Sequence, residues 1–147
     1  MYYYYFYRMK KILILVFLLS ICFGCSQKVD ISKIDDINGY WQITKAVNTD
    51  GDKKDYPINE VYDYYEIKNE TGFHKKVTWQ PDGTFLVNDL SETVKISDNS
   101  EGVFIEFTSK FGKHTERIES VSEKELVLET SDKAKLYFSK VILNTEK

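Results

Sequence analysis

A chain of 147 residues, 42% hydrophobic and 15% aromatic, has the length of one domain and enough apolar mass for a core. Its formal net charge is −3, and its Lys and Arg are interspersed with Asp and Glu, so it lacks the clustered basic footprint of a nucleic-acid surface. Both cysteines, Cys22 and Cys25, lie in an N-terminal apolar run, which excludes a disulfide, a thiolate zinc site and a cysteine nucleophile from the rest of the chain.

Residues 1–24 contain Arg8, Lys10 and Lys11 and no acidic residue, so the chain without them carries −6. Met9-Lys10-Lys11 followed by the apolar run Ile12 to Leu19 has the plan of a secretory signal peptide. The preceding aromatic run, Tyr2 to Tyr7, is foreign to such a plan. Met9 is therefore read as the true start and residues 1–8 as an over-extended one; the alternative is an aromatic interfacial segment. The run is shorter than the about 20 apolar residues that span a bilayer.

It ends Ile21-Cys22-Phe23-Gly24-Cys25-Ser26, which resembles a bacterial lipobox, with Cys22 in place of the usual Leu and Phe23 in place of a small residue. The resemblance implies cleavage between Gly24 and Cys25 and a diacylglycerol thioether on the Cys25 sulfur, with further acylation of the palmitate type. More than one acyl chain holds a protein stably on a membrane. The implied location is the cell envelope, and Ser26-Gln27-Lys28 suits outer-membrane sorting in a cell with two membranes. An ordinary signal peptide with two incidental cysteines is the alternative. Residues 25–36 read as a lipidated, flexible tether, although Ile31, Ile34 and Ile37 would also suit a short helical turn.

From about residue 37 to 147 the apolar period is about two rather than about 3.6. Trp41, Ile43 and Val47 fall on one face of a first strand, with Tyr40, Gln42 and Thr44 on the other. Asp50-Gly51-Asp52-Lys53-Lys54 reads as a turn or loop, and Pro57 limits any strand beginning there. Further strands are predicted over Val61 to Glu70, Phe73 to Gln80, Thr84 to Asn88, Glu92 to Ser97, Val103 to Ser109, His114 to Val121, Glu125 to Thr130 and Ala134 to Ile142. Pro81-Asp82-Gly83 is a strong turn signal between two of them. About eight or nine short strands with short links make an all-β fold, either a single antiparallel up-and-down barrel or a β-sandwich.

Gly39-x-Trp41 at the head of the first strand resembles the Gly-x-Trp signature of lipocalins. Pro81-Asp82-Gly83-Thr84-Phe85, Ile118 to Ser122 leading into Glu125 to Leu128, and the closing Leu136-Tyr137-Phe138 resemble segments of bacterial lipoproteins with a lipocalin-like domain. The resemblance implies a barrel whose Trp41 plugs one end beneath a cationic residue of the last strand. Lys140 is the candidate here, where the family favours Arg.

No sequence motif for catalysis, phosphate binding or dinucleotide binding is present, no metal site is expected, and no cofactor is implied. His74 and His114, each beside Lys, read as solvated or strand-rim residues with no carboxylate at ligand spacing. Asn48-x-Asp50-Gly51-Asp52 lacks the ligands of a calcium loop and reads as a turn. The aromatics are the richest feature. Tyr62, Tyr64, Phe73, Trp79, Phe85, Phe107 and Tyr137 are candidates to line a cavity for a small apolar ligand; the alternative is a filled core. Tyr65 lies opposite Tyr62 and Tyr64, and an outward Tyr cluster would equally serve an envelope protein partner. The function expected first is therefore a membrane-anchored ligand-binding module. A non-enzymatic protein-interaction module comes second, and an enzyme whose site no motif reveals comes third.

Overall fold

The computed structural model describes residues 29–143. The predicted signal peptide, the cleavage point at Gly24 and Cys25, the lipid attachment at Cys25 and the first residues of the tether lie outside the described residues.

The described chain opens with a 3-10 helix, Ile31–Ile37, whose first turn is capped by the Asp30 carboxylate accepting from the Ser32 N–H at 2.9 Å. Residues expected to be tether therefore fold onto the domain. The spacing of three eclipses Ile31, Ile34 and Ile37 on one side of a 3-10 helix. Ile34 and Ile37 enter the core, Ile37 completely buried.

Nine strands follow: β1 Gly39–Val47, β2 Lys53–Asp55, β3 Val61–Lys68, β4 Thr71–Trp79, β5 Phe85–Asn99, β6 Gly102–Ser109, β7 Gly112–Val121, β8 Glu125–Glu129 and β9 Lys135–Val141. Each pairs antiparallel with its neighbour, and β9 returns to pair with β1 from Val141 opposite Tyr40 to Lys135 opposite Val47. Eight strands thus close a barrel in a single sheet, which removes the sandwich alternative and leaves no open edge in the ring. The short β2 lies outside the ring order. It takes the far half of β1, Lys45 to Val47, while β3 takes Gly39 to Trp41. Its residues are all exposed. The Lys53-Lys54 pair carries no apolar alternation, so the sequence reads there as loop.

Three irregularities separate the structure from the simple alternation, one of them a register shift between Ile118 and Ser120 of β7 against β8. A bulge between Ile43 and Lys45 reverses the parity of β1, so Val47, expected on the Trp41 face, lies outward opposite Lys135. Thr84 to Asn88 and Glu92 to Ser97 are one long strand, β5, because a bulge absorbs residues 88–90 where the sequence predicts a break.

The turns sort into two groups. The 3-10 helix and the links after β3, β5 and β7 gather at one end of the barrel. The links after β1, β4, β6 and β8 gather at the other. The inward residues differ along the axis in the same way. Near the helix they are apolar, with Ile67, Ile96, Val103, Ile118, Leu126 and Phe138 packed around Trp41 and Ile37. Toward the other end they turn polar, with Asp63, His74 and Glu92 inward on adjacent strands.

Candidate functional site

The closed end is built on Asn38-Gly39-Tyr40-Trp41. Trp41 is fully buried, and its indole Nε1 donates to the Ile37 carbonyl at 2.6 Å. Lys140, directly opposite on β9, places Nζ 5.1 Å from the Trp41 ring centroid and donates to the Asp36 carbonyl at 2.8 Å. A helix end leaves such carbonyls without partners, and here one aromatic N–H and one ammonium take them. A cation over an indole face adds about 0.5–2 kcal/mol. Gly39 has φ +116, and a Cβ there would sit 3.2 Å from the Lys140 Cε, so both backbone and space require glycine. Asn38 clamps β3 from both sides of its amide: Oδ1 accepts from the Ile67 N–H at 2.6 Å and Nδ2 donates to the Ile67 carbonyl at 3.0 Å. The sequence reading missed Asn38, which looks like an ordinary linker residue until β3 arrives beside it.

The open end holds a cavity of about 300 Å³, lined by His74, Lys76, Leu90, Ser91, Glu92, Ser109, Lys110 and Phe111. His74 is its centre. Only 8% exposed, it meets the Asp63 carboxylate through Nε2 at 2.8 Å and the Glu92 carboxylate through Nδ1 at 3.0 Å. Tyr65 stacks on its ring at 4.7 Å, and Phe107 meets it edge-on at 5.5 Å. Phe107 also stacks on His114 at 4.5 Å. Lys76 donates to the same Asp63 oxygen at 2.8 Å.

These contacts set the local electrostatics. Burial pushes the Asp63 carboxyl up, but the hydrogen bond from His74 and the charge and hydrogen bond of Lys76 outweigh it and hold the group below the ordinary carboxylate range. Glu116, inward opposite Ile105, is raised chiefly by burial, with the neighbouring histidines pulling the other way. Burial, reinforced by Asp63, Glu116 and Glu92, holds the Tyr65 phenol well above its ordinary value.

The reading of His74 as a solvated or rim residue is thus corrected. Its carboxylate partners stand on β3 and β5, 11 and 18 residues away in the chain, so no local spacing could reveal them. His114 is exposed, at the rim. Among the described residues no cluster is arranged to hold a metal ion.

The aromatic candidates are mostly corrected as well. Phe107 alone of the seven faces inward. Tyr62, Tyr64, Phe73 and Tyr137 have the outward parity of their strands, and Trp79 and Phe85 pair at the end of the β4–β5 hairpin. Tyr64, Phe73 and Phe85 join Tyr40 in an outer cluster, with Tyr40 4.7 Å from Tyr64 and 4.9 Å from Phe85. Tyr137 lies under the Lys45 ammonium at 4.0 Å. The inward positions of the closed half went chiefly to aliphatic residues, packed with Trp41 and Phe138.

Comparison with known proteins adds a family. Residues 37–128 match the model of the lipocalin-like domain. None of the curated proteins matches the chain. Among solved structures, a lipocalin-like protein from Bacteroides uniformis is 20% identical with a TM-score of 0.47, over 72% of this chain and 99% of that one. An uncharacterized protein from Bacteroides eggerthii is 13% identical with a TM-score of 0.46, over 71% and 98%. Lobster apocrustacyanin A1 is 15% identical with a TM-score of 0.44, over 75% and 63%.

Proposed function

This chain belongs to the lipocalin-like domain family, and from that premise we propose that it is a non-enzymatic module that binds a small ligand at the open end of its barrel. The cavity of about 300 Å³ beside His74 carries the reading. It stands at the small end of the range in which ligand pockets occur. The closed half is filled by side chains, so the ligand is small, and its apolar part meets Leu90 and Phe111 rather than the tyrosines expected from the sequence. Native mass spectrometry of the purified chain tests this. A co-purifying small molecule is expected, displaced when Phe111→Glu places a charge at the mouth. An adduct that survives this substitution unchanged argues against the site.

The lipobox-like Gly24-Cys25-Ser26 supports anchoring of the module to a membrane of the bacterial cell envelope through lipid on Cys25. Mass spectrometry is expected to find Cys25 as an acylated N-terminus, and Cys25→Ser to move the protein to the soluble fraction. Recovery of an unmodified, soluble wild-type chain removes the anchor.

A specific observation also favours the second reading, a protein-interaction module. Trp79, Leu86 and Val87 on the β4–β5 hairpin are exposed, next to the outer Tyr40, Tyr64 and Phe85 cluster. Such aromatic surfaces serve as binding anchors. Loss of a cross-linked partner in Trp79→Ser, with small-molecule binding intact, would assign that role to the hairpin.

A further inference from the structure

The charges around the mouth are unevenly committed. Asp63 is held by His74 and Lys76, and Glu92 is held by His74. Lys110 forms no ion pair among the described residues, and its Nζ rests 5.0 Å from the centroid of the Phe111 ring. A neutral imidazole has one N–H, so His74 donates to both carboxylates only as the imidazolium. In that state Asp63 and Glu92 are both matched, and Lys110 is a cation of the cavity lining left without a carboxylate partner among the described side chains. Loss of the His74 proton leaves Asp63 or Glu92 without its His74 donor, and the unmatched carboxylate then opposes an anion at the mouth. Leu90 and Phe111 supply an apolar wall beside it.

We propose that the mouth cavity binds a small amphiphile with a single anionic head, and that the proton on His74 sets its affinity. The proposal rests on the ligand-binding reading above and gives that ligand a charge and a control. Every strand against His74 contributes to its surroundings: Asp63 and Tyr65 from β3, Lys76 from its own β4, Glu92 from β5, and His114 and Glu116 from β7. Phe107, from β6, is uncharged and shields the ring on its inner side. Burial raises Glu116, so its negative charge also enters this end of the barrel as pH rises. His74 and Glu116 are separable by substitution.

The experiment compares 1-naphthoate with its uncharged congener 1-naphthalenemethanol by titration calorimetry of the purified chain between pH 5.5 and 8.5. Naphthoate is expected to bind about tenfold more tightly at the acid end, in keeping with one charge at close range in a partly desolvated site. The alcohol is expected to bind without a pH slope. His74→Gln should flatten the naphthoate slope, Glu116→Gln should keep it, and Lys110→Glu should weaken naphthoate at both ends. The wild-type protein gives an independent reading should His74→Gln fold poorly. Its heat of naphthoate binding in buffers of different ionisation enthalpy must report proton uptake. Absence of uptake, equal slopes for the two probes, or a slope that survives in folded His74→Gln overturns the proposal while leaving the ligand site standing. Failure of both probes to bind overturns the ligand reading itself.

Discussion

Trp41 carries more of the closed end than any other side chain, and its substitution separates packing from polar contacts. Trp41→Ala empties a fully buried site and is expected to cost about 3–5 kcal/mol. Trp41→Phe keeps most of the volume but strands the Ile37 carbonyl, for about 1–2 kcal/mol. Denaturant unfolding measures both. At the mouth, Asp63 and Glu116 have opposite signs. Asp63 is depressed, so its contribution is present above about pH 4 and is lost as pH falls through its folded value. Asp63→Ala should cost about 3 kcal/mol at pH 7, since it leaves His74 and Lys76 without their shared partner. Glu116 is raised, so the native state holds its proton longer than the unfolded state and stability falls as pH rises through that window. Glu116→Gln should therefore raise the melting temperature at pH 7 and lose that gain in acid, below the ordinary glutamate range. Gly39 and Trp41 were legible because a tight turn and a large aromatic stand two residues apart in the chain. The Asp63–His74–Glu92 group was not, because three separate strands deliver it.

Among the elements, the 3-10 helix is the one the sequence left ambiguous. Its isoleucine spacing was visible, but whether a polar segment with three isoleucines docks depends on an apolar hole to receive it. The barrel provides that hole only once it has closed. Ile37→Ala is expected to cost about 2–4 kcal/mol and to speed hydrogen exchange at the Trp41 indole N–H, whose acceptor is the Ile37 carbonyl. Exchange at the indole unchanged from wild type would show that the helix is not what holds the plug. The strands with steady alternation, β6, β8 and β9, read almost as they fold. Where a bulge adds one residue, in β1 and β7, each residue beyond it changes face, and a period-two reading cannot sense the slip.

For the whole molecule, antiparallel order was legible from short turns, but closure was not, because it joins the two ends of the domain. The β1–β9 ladder pairs residues roughly a hundred positions apart, such as Trp41 with Lys140. β9 lies beyond the residues that match the family model, yet it completes the ring. Removing residues 131–147 exposes the edges of β1 and β8 together and takes Phe138 from the core. Such a chain is expected to lose cooperative unfolding and to aggregate, as read by circular dichroism and size exclusion. A truncated chain that stays monomeric and melts sharply would contradict a closed ring as the unit of stability.

The chain enters the barrel beside the 3-10 helix, at the end sealed by Trp41 and Lys140. The cavity opens at the other end of the axis, with the nine residues of β1 between them, about 30 Å of strand. Under the proposed lipid anchor at Cys25, the mooring line would hold the hull by its stern. Cargo would then load and unload at the bow, facing the water, with no need for the barrel to turn over or for the line to yield.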